Sequence, residues 1–366
     1  MVEIKTGDCI EQLQTLPDCS VHCCVTSPPY FGLRDYGHAG QIGLEETPDA
    51  YVAKMVEVFR EVRRVLRDDG TLWLNLGDSY GGSWGNYGGK NRGTGKQRAI
   101  VSGSRVPNKA WDERTAFIPA GAKLPSKQLL GIPWRVAFAL QADGWILRQD
   151  IIWHKPNPMP ESVRDRCTKS HEYIFLFAKQ QRYYFDQEAI KVPLKDISVA
   201  RLIQDVENQE GSARVPGKTN GTMKAVRFGG NKQCPDTRLQ SGKEWKPTMA
   251  GGDTKISKGH SGYFDKDGKP LCGSKANKKS VWTVPTRGYK GAHFATFPPQ
   301  LIEPCILAGC PENGTVLDPF GGSGTTGQVA RQHGRNCILI ELNTEYVKLI
   351  HKRLKDDKHH MPLLEE

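Results

Sequence analysis

No long apolar run is present that would span or anchor in a bilayer, and mean hydropathy is −0.54, which sets membrane-embedded functions aside. The opening Met1-Val2-Glu3-Ile4-Lys5 has no signal-peptide pattern. Ten cysteines are present, yet no Cys-x-x-Cys pair: Cys23 and Cys24 are adjacent, three residues separate Cys19 from Cys23, and four separate Cys305 from Cys310. That spacing speaks against structural zinc, so no metal site is expected, and the thiols read as reduced, mostly buried groups of a cytoplasmic protein. Acidic residues are outnumbered, 40 against 51 Lys and Arg, giving a formal net charge of +11 and a pI near 9.1. Such a balance suits a polyanionic partner, nucleic acid before membrane, although basicity alone is a weak signal.

At 366 residues the chain is long enough to bury a substantial core and to carry an insertion. One short peptide organises the reading. An apolar run from Val21 to Val25, interrupted by His22, predicts a buried strand that stops at Thr26-Ser27-Pro28-Pro29-Tyr30. Two prolines fix two φ angles and supply no N–H, so their carbonyls are expected to be rigid and unpaired. A hydroxyl, Ser27, precedes them and an aromatic face, Tyr30, follows. This arrangement suits gripping the exocyclic amine of a planar base, with the ring stacked on it. The plainer reading is a proline-stopped strand with a buried tyrosine.

Near the other end, Thr315-Val316-Leu317-Asp318-Pro319-Phe320-Gly321-Gly322-Ser323-Gly324-Thr325-Thr326 predicts strand, glycine turn and helix start, a geometry in which backbone approaches a ligand closely. A phosphate-binding loop needs a lysine that is missing here, since Thr325 directly follows Gly324. With Asp318 at the entrance and no cation in the turn, a cationic or zwitterionic nucleoside fits better than a triphosphate. The next strand, Cys337 to Glu341, ends in a carboxylate where doubly wound folds hold ribose hydroxyls.

The two motifs together resemble the S-adenosylmethionine-dependent DNA amino-methyltransferases that modify N4 of cytosine or N6 of adenine. Ser27-Pro28-Pro29-Tyr30 is similar to that family's catalytic (D/N/S)PP(Y/F/W) motif, and Asp318 to Gly324 to its cofactor motif. Catalytic motif first and cofactor motif last is the β-group order. The resemblance implies a doubly wound, mostly parallel α/β sheet of the seven-stranded methyltransferase type. It implies catalytic roles for Ser27, Pro28, Pro29 and Tyr30. Cofactor contacts are implied for Asp8, Thr26, Phe297, Pro298, Asp318, Pro319, Phe320, Gly321, Gly322, Ser323, Gly324, Thr325 and Glu341. Double-stranded DNA is the implied partner in the cytoplasm of a bacterial or phage-infected cell. A cognate restriction endonuclease is compatible with it, and monomer or homodimer stays open.

Ser27 at the first motif position resembles the N4-cytosine enzymes, whereas Asp or Asn is usual for N6-adenine, which remains the alternative. A non-catalytic DNA-binding relic is the alternative of another class. Protein-amide methylation lacks support, since such enzymes carry Asn where Ser27 stands. Pro304-Cys305 superficially matches the nucleophile of carbon-5 methyltransferases, but Cys305 falls among the apolar positions of a helix.

Three regions follow: a catalytic half over 1–181, a target recognition insertion over 182–280, and a cofactor half over 281–366. Asp8 also suits a helix N-cap for Cys9 to Leu16. Thr47 and Pro48 start a helix whose face is Val52, Met55, Val56, Phe59, Val62, Val65 and Leu66, with Gly70 as its end and Thr71 to Leu76 as the following strand. Gly81 to Arg105 is polar, glycine-rich and basic, and reads either as a DNA-backbone contact or as a solvated loop. Between Arg182 and Ser280 lysines and arginines such as Arg214, Arg227 and Lys243 are spread along poorly periodic sequence, suited to phosphates or base edges, or simply disordered. His154 and His171, without a third ligand nearby, read as structural or pocket residues.

Overall fold

The computed structural model describes residues 1–33, 40–81, 125, 127–194, 275–286 and 297–357. The chain divides into two compact units, Met1–Asp186 with Ser280–Glu366, and Gln187–Lys279. The first is built on an eight-stranded sheet whose strands are β1 (Val2–Thr6), β2 (Val21–Thr26), β3 (Leu66–Leu76), β4 (Ile146–His154), β5 (His171–Ala178), β8 (Val281–Thr283), β9 (Thr315–Asp318) and β10 (Asn336–Glu341). Their spatial order is β1-β10-β9-β2-β3-β5-β4-β8. Only β5 runs antiparallel to its neighbours. The sheet is therefore mostly parallel, as expected, with the short β8 added beside β4 as an eighth strand.

Period-two alternation assigns side chains to the two faces. Cys24, Leu72, Leu74, Phe175, Phe177, Leu317 and Ile340 pack under α1 (Cys9–Gln14), α2 (Pro48–Val65) and α3 (Ile132–Ala142). On the other face lie α4 (Pro299–Gly309) and α5 (Thr325–Gln332). A Cβ added to Gly309 would sit 2.6 Å from Trp73 Nε1, and one on Gly327 2.8 Å from Leu339 Cδ1, so glycine is what lets these helices settle on the sheet. Beside α5 runs α6 (Thr344–Asp356). Helices on both faces make the doubly wound architecture.

The helix after Thr47 begins as expected, with the Thr47 hydroxyl accepting from Ala50 N at 3.1 Å and Pro48 in the first turn. Its end is a correction. The helix stops at Val65, not at Gly70, and β3 already starts at Leu66. Cys19 N and Ser20 N bond to the Arg64 and Val65 carbonyls, while Leu66 pairs with Val21, so the last turn is taken over by the strand beside it. Gly70 lies inside β3, where an added Cβ would meet Arg67 O and Leu66 Cδ2, both at 2.9 Å. Tyr51 and Val58 join the buried face as well.

Residues 183–186 pack onto the first unit: Tyr183 Oη accepts from Arg148 Nε at 2.9 Å, Tyr184 N donates to Asp69 O at 2.8 Å, and Asp186 N donates to Ala308 O at 2.9 Å. In the second unit the described residues form a 3-10 turn, Glu188–Ile190, and an antiparallel pair of β6 (Val192–Pro193) with β7 (Lys275–Ala276). The expected DNA-contacting loop Gly81 to Arg105 lies outside the described residues except Gly81, as do Arg214, Arg227 and Lys243. No helix among the described residues is long and apolar enough to cross a membrane.

Candidate active site

The chain turns in opposite directions from two adjacent parallel strands. After β9 the crossover through α5 leads to β10 on one side, and after β2 the crossover through α2 leads to β3 on the other. A crevice at the carboxyl ends of the strands belongs at such a reversal. The predicted residues collect along this edge. Gly7-Asp8 follows β1, Glu341 ends β10, Asp318 ends β9, and Ser27 follows β2. A hydrogen bond closes the reversal itself, from Thr26 Oγ1 to Asp318 Oδ1 at 2.7 Å.

At the catalytic peptide, Ser27 is half-buried and its Oγ donates to Tyr30 Oη at 3.4 Å. Tyr30 Oη lies 2.9 Å from Glu172 Oε2 and 3.2 Å from Asn75 Oδ1. Asn75 is kept in that orientation by its Nδ2 bond to the Tyr173 carbonyl at 3.0 Å. The other Glu172 oxygen pairs with Lys155 Nζ. Burial, followed by the Glu172 charge, pushes the Tyr30 hydroxyl well above its ordinary range, so it is held as a neutral donor. The Tyr30 ring lies against Gly77, where an added Cβ would be 2.5 Å from Tyr30 Cε2. The expectation that both proline carbonyls are unpaired needs correction. Pro29 O accepts from Tyr51 Oη at 2.8 Å, whereas the Pro28 carbonyl has no hydrogen-bond partner among the described residues.

The glycine turn has a different construction. Asp318 is 1% exposed, with Oδ1 accepting from Thr26 Oγ1 and from Phe320 N at 3.1 Å, and Oδ2 from Thr326 Oγ1 at 2.6 Å. Burial outweighs these donors and pushes its carboxyl up to about 7. Gly322 and Gly324 adopt φ values of 53° and 77°, in the left-handed region. Gly322 N donates to Glu341 Oε2 at 2.7 Å and Asn343 N to Glu341 Oε1 at 2.9 Å, tying the turn to the end of β10. Gly321 N bonds to Ile340 O at 2.8 Å, and Gly7 N to Glu341 O at 3.0 Å. Asp8 caps α1 through bonds from Ile10 N and Glu11 N. Pro319 is buried and Phe320 partly so; Pro298 precedes α4 as its N-cap residue, beside half-buried Phe297.

Sequence reasoning missed the cation behind the turn. Arg353, buried on α6, donates to Ser323 Oγ and Thr325 Oγ1, both at 2.8 Å, and to the Ser323 carbonyl at 3.2 Å. Ser323 and Thr325 are thereby buried and committed to the scaffold. Asn75 and Tyr51 were missed too, their only sequence signal being a position at a strand end or on a helix's apolar face; Glu172 lies in Ser170–Phe177, which resembles a pocket motif in sequence, but was not singled out. Asp78, just past β3, caps α3 at a distance, its oxygens accepting from Gly131 N and Ile132 N at 3.1 and 3.0 Å. His154 and His171 face each other across β4 and β5, with His154 Nδ1 3.2 Å from Thr283 Oγ1. Cys305 is buried in α4, with its Sγ 3.7 Å from the Leu301 carbonyl. Among the described residues no cluster of three or more His, Cys, Asp or Glu could hold a metal, and Cys9, Cys23, Cys24, Cys305, Cys310 and Cys337 are buried thiols outside any disulfide.

Comparison with known proteins places this geometry in context. The N6_N4_Mtase family model, described as DNA methylase, matches residues 21–352. The Type II methyltransferase M.SmaI of Serratia marcescens is 41% identical over 355 residues, covering 96% of this chain and 90% of that protein. The Type II methyltransferase M.Cfr9I of Citrobacter freundii is 39% identical over 355 residues, covering 96% of this chain and 87% of that protein. In fold, the PvuII DNA methyltransferase (cytosine-N4-specific) superposes with a TM-score of 0.54 at 16% identity, covering 98% of this chain and 87% of that one.

Proposed function

Since the chain belongs to the N6_N4_Mtase family of DNA methylases, we propose that it transfers a methyl group from S-adenosylmethionine to the exocyclic N4 of a cytosine flipped out of double-stranded DNA. The chain is a site-specific DNA methyltransferase of the N4/N6 amino class. The observation that favours cytosine is Ser27. Its hydroxyl stands at the end of β2 next to the Pro28 carbonyl, one residue from the Thr26–Asp318 bond that closes the switch point. N6 of adenine is the second reading, favoured by the matching family's breadth, since its model covers both amino acceptors by name.

The edge fits S-adenosylmethionine in its donor set. Glu341 and Asp8 are carboxylates suited to a nucleoside's hydroxyls and amino group, and half-exposed Gly322 brings bare backbone to the edge. Among the described residues the cation at the turn is Arg353, which donates from behind to Ser323 and Thr325, and this suits a ligand without phosphates. Glu341, Asp8 and the backbone of 319–322 would hold the group. When bound it supplies a methyl group activated on a sulfonium.

The amine of cytosine is a poor nucleophile because its lone pair is delocalised into the ring. Ser27 Oγ and the Pro28 carbonyl accept its hydrogens and so localise the pair on nitrogen as it turns tetrahedral. The double proline holds these acceptors in place before the base arrives, which lowers the entropic cost of orientation. Tyr30 offers the ring on which the base stacks. No covalent enzyme intermediate is required.

The test is incubation of unmethylated genomic DNA with protein and labelled S-adenosylmethionine, then nucleoside mass spectrometry, with Ser27→Ala in parallel. N4-methylcytosine that is lost in the variant is the expected result. N6-methyladenine would keep the mechanism and overturn the base assignment. No methylated base would return the chain to the DNA-binding relic.

A further inference from the structure

Three side chains stand in series leading away from the acceptor end of this site. Ser27 Oγ donates to Tyr30 Oη at 3.4 Å, and Tyr30 Oη reaches Glu172 Oε2 at 2.9 Å. Asn75 Oδ1 competes for the same hydroxyl at 3.2 Å, but a phenol has one proton, and the closer, charged oxygen takes it. The far end of the series meets water. Glu172 and its partner Lys155 have side chains 16% and 18% exposed. The sheet register builds the arrangement, pairing Tyr173 with Leu76 of β3 and Glu172 with Trp153 of β4. Lys155 is steadied in turn over the Trp153 ring, 4.1 Å from its centroid.

We propose that Ser27, Tyr30 and Glu172 form a proton-exit chain, with Glu172 as the terminal acceptor of the proton that the target amine sheds. This rests on the amino-methyltransferase reading above. The exocyclic nitrogen gives its lone pair to the methyl carbon, the carbon–sulfur pair stays on sulfur, and nitrogen is left cationic with a surplus proton. Ser27 Oγ takes that proton while its own moves to Tyr30 Oη. The proton of Tyr30 moves to the Glu172 carboxylate. The result is a neutral methylated amine and a neutral glutamic acid, which returns the proton to water. Neither hydroxyl ionises at any point, so a serine that is no base on its own suffices. Lys155 holds one oxygen of the Glu172 carboxylate at the end of the chain, and Asn75 Nδ2 reaches the other at 3.5 Å.

Two variants separate proton transfer from mere positioning, assayed in the full chain with S-adenosylmethionine and unmethylated genomic DNA. Glu172→Gln still accepts the Tyr30 hydrogen bond, so a purely positional Glu172 predicts nearly normal turnover. Proton transfer predicts kcat lower by about 100-fold, with KM for DNA unchanged. Tyr30→Phe keeps the ring and its stacking but cuts the chain, and shows the same kcat loss; it decides the matter if Glu172→Gln fails to fold. A readout independent of turnover is the NMR titration of ¹³Cζ-labelled tyrosine, in which Tyr30 ionises at lower pH once Glu172 is Gln. Wild-type kcat in either folded variant, or an unmoved Tyr30 titration, overturns the chain while wild-type methylation still stands. A wild-type protein that methylates no base overturns the function reading and the chain with it.

Discussion

The catalytic peptide and the glycine turn meet at one hydrogen bond, from Thr26 to Asp318, yet they divide labour between main chain and side chains in opposite ways. At Ser27–Tyr30 the prolines immobilise the main chain, and Asn75 and Glu172 on neighbouring strands bond the tyrosine hydroxyl. At Asp318–Thr325 the side chains are consumed by the scaffold: Asp318 by Thr26, Thr326 and Phe320 N, and Ser323 with Thr325 by Arg353. What is left facing the edge is backbone. A motif's polar residues therefore need not all face a ligand; in the turn most of them shape the loop itself.

Of the two peptides, Ser27–Tyr30 depends on a missing side chain, at Gly77. Gly77→Ala puts a Cβ 2.5 Å from Tyr30 Cε2 as the ring now stands, so the ring must move by about an ångström. Misplacement on that scale costs roughly 100-fold in kcat. Steady-state methylation kinetics with the folded variant check this, and kcat within a few-fold of wild type would show that Tyr30 is not a positioned working group.

The turn side is sharpened by pH. The Asp318 carboxyl is raised to about 7 when folded, whereas an unfolded aspartate titrates near 4. A raised folded value means that its contribution to stability is complete below about pH 4 and is lost as pH climbs through about 7. Asp318→Asn keeps an acceptor for Thr26 and Phe320 N and lets Nδ2 meet Thr326 Oγ1, so it removes the titration without removing the contacts. Relative to wild type, urea unfolding at pH 5 and pH 8 is expected to show a slope flatter by roughly 2 kcal/mol across the interval. An unchanged slope would mean the carboxyl is not buried as described.

How much of this was readable in the sequence follows from the range of each signal. Strand, proline stop, glycine turn and the Thr47 cap are local, written within a few residues, and they placed the motifs on the right elements. Arg353 reaches Thr325 from 28 positions away, and Glu172 reaches Tyr30 from 142. Arg353 lies in no motif; Glu172 lies in the Ser170–Phe177 stretch that resembles a pocket motif, but its bond to Tyr30 arrives through packing that periodicity does not encode. Gly70 shows the same limit, since its role as a close-packed strand residue is set by His22 and Leu66, not by the helix before it. The insertion is basic in sequence, but composition alone does not say which cations meet bases.

Arg353 gives the next smaller effect. Arg353→Met keeps the apolar stem but leaves the Ser323 and Thr325 hydroxyls without their charged donor, a loss of about 2 kcal/mol in folding stability. Weaker cofactor binding is expected alongside it, because the turn loses the clamp beneath it. Denaturant unfolding and calorimetric titration with S-adenosylmethionine check the two parts separately. Full affinity in a destabilised variant would show that the glycine backbone holds its shape unaided.

The smallest change returns to the catalytic peptide. Tyr51 sits on the buried face of α2, and its hydroxyl is bonded to the Pro29 carbonyl at 2.8 Å. Tyr51→Phe deletes that bond and keeps the ring, so the core packing against Phe31, 5.6 Å away between centroids, survives. The expected loss of stability is about 1 kcal/mol, the ordinary worth of one neutral hydrogen bond. Catalysis should barely change, because two prolines already fix the peptide and the Pro28 carbonyl, not Pro29's, faces the amine in the proposed mechanism. A large fall in kcat without a matching fall in stability would reverse this ranking. It would mean that the prolines alone do not hold the acceptors in line, and that α2 orients the catalytic peptide from behind much as Arg353 supports the turn.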